Sequence, residues 1–270
     1  MDRRKLPIGI FDSGLGGLTA LAELARLMPN EDIVYFGDNA RIPYGTKSPG
    51  IIKKFALQDT RFLLSAGVKA ILVACGTVSS NCLAEVEKES GLPVVGVINA
   101  AAKKAAEIAG DNGTAAVLGT AATVKSGAYE RELKRLGCKK VVSRACPMFV
   151  PLAENWHPTE DDAAANAVAE EYLRDIAKES PAAVILGCTH YPLLAGVIKK
   201  HLPGSELISS GKESANEMRA LIAERGLANE RGGKISFYTS DDPDLFRENA
   251  ARFLGRDIDG TVKKADIETY

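Results

Sequence analysis

The sequence predicts an α/β protein built of two similar units that face each other. Three observations carry that expectation. Short apolar runs bounded by glycine, proline and polar residues read as buried strands, and longer amphipathic stretches between them read as helices. Two of the runs, Ala70-Ile71-Leu72-Val73-Ala74 and Ala182-Ala183-Val184-Ile185-Leu186, lead into a cysteine with threonine close behind, at Cys75-Gly76-Thr77 and Cys188-Thr189. The order of elements then restarts near Asn99, so that Asp12 and Cys75 stand nearly as far apart as Thr120 and Cys188, a weak internal repeat. Groups that work together commonly converge where two such units meet.

Composition narrows the function. The 270 residues suffice for one large domain or two smaller ones. With 34 basic against 35 acidic residues, no basic excess points to nucleic acid and no polybasic tail points to a membrane, which leaves a small molecule as the expected partner. The five cysteines are odd in number and contain no C-x-x-C pair, which argues against a disulfide framework and against a zinc site, and no metal is expected. The basic start Met1–Lys5 is followed by only a short apolar segment carrying Asp12, and no run approaches a membrane span, so the chain reads as cytoplasmic.

Ile8–Phe11 reads as the first strand, and Asp12-Ser13-Gly14-Leu15-Gly16-Gly17 as the turn into a helix over Leu18–Met28. The glycines let backbone approach a ligand closely. A dinucleotide fingerprint is the rival, but Thr19 occupies its third glycine position, so the match is incomplete and no nucleotide cofactor is expected. Asp32–Asp38 reads as a second strand with its exit, and Arg41-Ile42-Pro43-Tyr44-Gly45 as a turn carrying a tyrosine. Ser48 and Pro49 suit a helix start, and Gly67 its end. After the strand that ends at Cys75, Val78–Ser90 reads as one helix closed by Gly91, with Cys82 an inert buried thiol inside it, and Pro93–Ile98 as another strand. The second unit brings a helix from Asn99 through Ala109, a strand Thr114–Leu118, a turn containing Thr120 and Thr123, and a helix to about Leu136. Ala145–Glu154 reads as a Pro-broken apolar loop that delivers a carboxylate. Asp161–Lys178 is an amphipathic helix, Ser205–Ser209 a further strand, and Ile235–Thr239 and Asp244–Leu254 a strand and a helix that suit the first unit.

Two thiols in corresponding turns leave three chemistries open. Nucleophilic hydrolysis would use Cys188 with His190 and leave Cys75 without a role. A redox or metal pair lacks its usual spacing. Proton transfer at a carbon acid uses both: one thiolate removes the α-proton from one face while the other thiol returns a proton to the opposite face. Free thiols titrate near ~8.5, close enough to neutrality for neighbours to hold one charged and one neutral. Asp12 is available to Cys75, and His190 with Glu154 to Cys188.

The ordered set Asp12–Gly17, Pro43-Tyr44-Gly45, Val73-Ala74-Cys75-Gly76-Thr77 and Gly187-Cys188-Thr189-His190-Tyr191-Pro192 resembles the motifs of the glutamate racemases, in the aspartate/glutamate racemase superfamily. The resemblance runs from Ile8 to about Leu254. It implies two pseudo-symmetric three-layer α/β domains with mainly parallel sheets, 1–98 plus 209–270 and 99–208, with the active site in the cleft between them. It also implies cofactor-independent interconversion of L- and D-glutamate for peptidoglycan synthesis, in a homodimer. Cys75 would act on the D-enantiomer and Cys188 on the L-enantiomer, supported by Asp12, Glu154 and His190. Asp12, Ser13, Tyr44, Gly45, Gly76, Thr77, Thr120, Thr123, Thr189 and His190 would hold the substrate. Where the family usually has Asn after the first cysteine this chain has Gly76, with Ser209-Ser210 in place of Asp-Ser and Asn99-Ala100 in place of Glu-Pro. Gly76 motivates the alternative of a related racemase acting on aspartate or another amino acid. A non-catalytic amino-acid-binding protein and a thiol hydrolase are the readings from other classes.

Overall fold

The computed structural model describes residues 2–155, 159–254, 257–258 and 260–270, the side chain of Asn155 excepted. In chain order the strands and α-helices are β1 (Ile8–Asp12), α1 (Leu18–Leu27), β2 (Ile33–Gly37), α2 (Pro49–Ser65), β3 (Ala70–Val73), α3 (Gly76–Asn81), α4 (Leu83–Ser90), β4 (Val94–Val95) and α5 (Ile98–Ala109). The second half continues with β5 (Thr114–Gly119), α6 (Ala121–Ser126), α7 (Ala128–Arg135), β6 (Lys140–Ala145), α8 (Phe149–Asn155), α9 (Ala163–Lys178), β7 (Ala183–Leu186), α10 (Ala195–His201) and β8 (Glu206–Ser209). The chain closes with α11 (Ser210–Glu224), β9 (Ile235–Thr239), α12 (Pro243–Leu254) and β10 (Val262–Lys264).

The strands form two sheets with orders β10-β9-β2-β1-β3-β4 and β6-β5-β7-β8, and every pairing is parallel. Four strands of each sheet correspond: β2-β1-β3-β4 repeats as β6-β5-β7-β8, while β9 and β10 extend the first. The repeat seen in the sequence is therefore a repeat of topology. Asp12 and Thr120 end the equivalent strands β1 and β5, and Cys75 and Cys188 follow the equivalent strands β3 and β7.

Each sheet is covered on both faces, which is why the central strands β1, β2, β3, β5 and β7 are buried without alternation. In the first unit α1, α11 and α12 pack on one face around Leu18, Leu21, Met218 and Phe246, and α2 with α4 packs on the other around Ile52, Phe62 and Val86. In the second, α8, α9 and α10 contribute Phe149, Leu173 and Ile198 to one core, and α5 and α7 contribute Ala105 and Leu133 to the other. No helix among the described residues is long and apolar enough to cross a membrane.

Four local expectations need correction. The helix expected over Val78–Ser90 breaks at Cys82, whose backbone (φ −153°, ψ 28°) leaves helical geometry. The strand expected over Pro93–Ile98 pairs only at Val94 and Val95, because the Val97 N–H goes to the Ser79 hydroxyl and its carbonyl accepts from Tyr129. The helix expected to Leu136 is cut at Gly127, which adopts φ 65°. The loop before Glu154 winds into α8, since Pro151 lies early enough in it to need no intrahelical donor. Strands β6 and β10 add to the expected set; β6 mixes Lys140, Ser143 and Arg144 with Val141, Val142 and Ala145 at a half-exposed edge.

A buried ion pair ties the first unit together at the far end of its strands. The Lys69 ammonium is fully buried, pairs with Glu31, and donates to the carbonyls of Arg4 (2.7 Å) and Leu227 (2.9 Å), while Glu31 accepts from the Asn229 N–H (2.7 Å). Lys69→Met strands a buried carboxylate, and the expected cost is about 3–5 kcal/mol of stability. The check is a lower denaturant midpoint at unchanged m-value. Adding Glu31→Leu should recover most of the loss, because an apolar pair leaves no buried charge unpaired.

Candidate active site

Both thiols arrive at one place by the same route, a buried parallel strand that ends and turns its next residues into the crevice beyond its C-terminal edge. Cys75 follows β3 and caps α3, and Cys188 follows β7; both are buried. They line a single cavity of about 300 Å³ between the two units. That volume suits a small amino acid.

The surroundings of the two sulfurs differ. The Cys75 sulfur lies 3.7 Å from the Ser13 hydroxyl. Burial, reinforced by the negative charge of nearby Asp12, pushes its thiol well above the ordinary range and favours the protonated form. Asp12 itself is fully buried behind the glycine turn, where Oδ2 accepts from the N–H groups of Gly17 (2.9 Å) and Gly14 (3.3 Å). Its Oδ1 has no hydrogen-bond partner among the described residues, and burial raises its carboxyl against the opposing influence of His190 and these N–H groups. The turn is fixed from behind by the Tyr35 hydroxyl, which donates to the Gly14 carbonyl (2.7 Å).

At Cys188 the sulfur sits 3.7 Å from Nδ1 of His190, whose Nε2 lies 2.8 Å from Glu154 Oε1. Burial disfavours the imidazolium, but hydrogen bonds to Cys188 and Glu154 outweigh it and push His190 up to about 10. The arrangement is a sulfur, imidazole and carboxylate in line, able to orient the ring and to pass a proton between sulfur and carboxylate. Glu154 reaches the ring because Phe149 anchors α8, edge-on against Tyr191 (5.3 Å) and Tyr172 (5.4 Å). Phe253 packs edge-on against the His190 ring from the first unit (5.6 Å).

Of the residues expected to hold substrate, Ser13, Tyr44, Gly45, Gly76, Thr77, Thr120, Thr189 and His190 line the cavity. Asp12 and Thr123 do not. Thr123 lies buried behind Thr120, with the two hydroxyl oxygens 3.0 Å apart, and Thr120 in turn meets Thr77 across the cleft at 3.0 Å. The Tyr44 ring is buried and its hydroxyl points away from the cleft to Asp38 and Asp59, so only its backbone and ring edge serve the cavity. Pro43, Thr46, Pro147 and Val150 also line the cavity; the Pro-rich spacing of the two loops was their only sequence signal. No lysine or arginine is among the described lining residues.

Three glycines close the seam between the units. A Cβ on Gly16 would lie 2.1 Å from the Thr189 hydroxyl, one on Gly45 2.8 Å from Thr120 Cβ, and one on Gly76 2.2 Å from the Gly187 carbonyl oxygen. Each is a place where backbone of one unit touches the other with no room for a side chain.

The fold and the paired thiols define a class that comparison with known proteins makes specific. A family model described as Asp/Glu/Hydantoin racemase matches residues 13–218. A glutamate racemase of Thermus thermophilus is 43% identical over 267 residues, 98% of each chain. The crystal structure of glutamate racemase from Francisella tularensis in complex with D-glutamate superposes with a TM-score of 0.92 at 36% identity, covering 99% of this chain and 100% of that one. A Thermus thermophilus glutamate racemase structure in complex with beta-chloro-D-alanine gives 0.89 at 41% identity, over 99% of each chain. The chain belongs to the glutamate racemase family, within the Asp/Glu racemase superfamily.

Proposed function

We propose that this chain racemises glutamate without a cofactor, by proton transfer between two cysteines, and so supplies D-glutamate for peptidoglycan synthesis. The observation that carries the reading is the pair of thiols at equivalent strand ends, both lining one cavity. In the L-to-D direction the Cys188 thiolate takes the Cα proton and the Cys75 thiol donates one to the opposite face. The sulfurs exchange states, and the D-to-L direction runs the same steps backwards. The protonated form favoured at Cys75 suits the donor in the first direction, and His190 with Glu154 returns the proton balance at Cys188.

With no lysine or arginine among the described lining residues, the hydroxyls of Ser13, Thr77, Thr120 and Thr189 and the backbone of Gly45 and Gly76 hold the substrate's charged groups beside His190. Asp12 acts on Cys75 through its charge, and Thr123 acts by orienting Thr120. The two lobes run 1–98 plus 209–270 and 99–208, and the protein works as a cytoplasmic homodimer; five unpaired cysteines support the compartment, and the family resemblance supports the dimer.

Solvent-deuterium incorporation tests the reaction directly. With L- or D-glutamate presented separately in deuterated water, the opposite enantiomer should appear carrying deuterium at Cα from the first turnover. Product that retains the original hydrogen would sink the two-base mechanism, and no product from either enantiomer would sink the function.

A further inference from the structure

Behind the Tyr44–Gly45 wall of the cleft lies a cluster of charges that the proton transfer does not use. Asp38, just beyond β2, and Asp59, in α2, are both fully buried, and the Arg41 side chain is only 9% exposed. Arg41 donates from Nε to Asp38 Oδ2 (2.7 Å), from Nη2 to Asp59 Oδ1 (3.0 Å) and from Nη1 to Gln58 Oε1 (2.6 Å), and its guanidinium lies 4.1 Å over the Phe55 ring. The same Phe55 packs against Tyr44 at 5.3 Å. Exposed Glu268 reaches Nη1 at 3.3 Å from the chain's last segment.

The Tyr44 hydroxyl sits between the two carboxylates, in a short contact with Asp38 Oδ2 and 3.1 Å from Asp59 Oδ2. A phenol has one proton to give, so it satisfies one of them. The closer contact assigns that proton to Asp38, and the second contact is a hydrogen bond only if Asp59 supplies the proton. Burial beside Asp38 raises the Asp59 carboxyl in the direction this requires. The cluster is then a neutral unit of Arg41 cation and Asp38 anion, with a donor chain from Asp59 through Tyr44 to Asp38. Two buried anions against one buried cation would be far more costly.

We infer that Asp38, Arg41 and Asp59 are positioning residues that set the Tyr44–Gly45 wall through the Tyr44 hydroxyl, and thereby set the affinity for substrate. The wall they hold is narrow in tolerance, because Gly45 abuts Thr120 of the other unit. The inference rests on the racemase reading. None of the three touches the cavity or either sulfur, so loosening them weakens ground-state and transition-state binding alike, which raises KM and spares kcat.

The test is steady-state kinetics on both glutamate enantiomers, with thermal unfolding of each variant alongside. Tyr44→Phe, which removes one oxygen, should raise KM about tenfold in both directions with kcat within about threefold, the loss expected for one charge-assisted hydrogen bond. Asp59→Leu should do the same or worse. Asp59→Asn should keep KM within about twofold, because its amide donates to Tyr44 and accepts from Arg41 as the protonated acid does. Parental KM in both Tyr44→Phe and Asp59→Leu overturns the inference, and so does an Asp59→Asn variant as impaired as Asp59→Leu. If Asp59→Leu does not fold, Tyr44→Phe against Asp59→Asn decides it. An unsubstituted chain inactive on both enantiomers overturns the racemase reading and this inference with it.

Discussion

Cys75→Ala and Cys188→Ala each lower racemisation by about 10²–10⁴-fold, the range a positioned acid or base contributes. Their failures should differ in kind. On the proposed mechanism Cys188 alone should still take the Cα proton of L-glutamate, exchange it through His190 and Glu154, and return a solvent proton to the same face. Cys75→Ala should therefore wash deuterium into L-glutamate without inverting it. Cys188→Ala should do so with D-glutamate, and more slowly, since the Cys75 sulfur meets the Ser13 hydroxyl rather than an imidazole–carboxylate pair, and burial with Asp12 favours its protonated thiol. Proton magnetic resonance of the Cα signal, with optical rotation for inversion, separates the two events. Full turnover by either variant would leave one thiol without a function. A thiol hydrolase would tolerate the loss of Cys75 and not that of Cys188.

The features of this site that were legible in the sequence are those dictated by the strands. A continuous apolar run can end in only one direction in a parallel sheet, so a polar cluster after it, such as Cys188-Thr189-His190, falls at the crevice. The doubled pattern around Asp12 and Thr120, Cys75 and Cys188 survives as matching strand orders. What was not legible depends on side-chain direction and on contacts between distant segments. Tyr44 stands in a loop motif that suggests a hydroxyl in the cleft, yet Asp59 in the next helix and Asp38 before it draw that hydroxyl inward. Asp12 and Ser13 are neighbours, but the tight turn buries the carboxylate and leaves the hydroxyl at the Cys75 sulfur. Edge strand β6 escaped notice because one half-exposed face gives it mixed polarity, and β10 because three residues carry no period.

Gly76→Ala should lower kcat/KM by about 10²-fold, and it bears on the point where this chain departs from its family's usual Asn. A Cβ at Gly76 would stand 2.2 Å from the Gly187 carbonyl oxygen, with the Gly187 carbonyl carbon at 3.3 Å. Both neighbours are backbone, and Gly187 is itself pinned, because its N–H donates to the Leu118 carbonyl at 2.8 Å. No side-chain rotation relieves the contact, so the start of α3 must move from the β7 exit by most of an ångström. The two moving parts carry Cys75 and Cys188, one residue away on each side. Reacting groups displaced by about 1 Å lose on the order of 10²-fold in rate. The loss should be equal in both directions, since both use the same pair of sulfurs. It should also be larger than that of Gly45→Ala, whose added Cβ would meet Thr120 Cβ at 2.8 Å, a lesser overlap than the 2.2 Å at Gly76. Gly76→Asn has the same Cβ and should suffer at least as much. An Asn variant with parental turnover would mean that the seam between the units opens freely during catalysis and that the Gly76–Gly187 contact sets nothing.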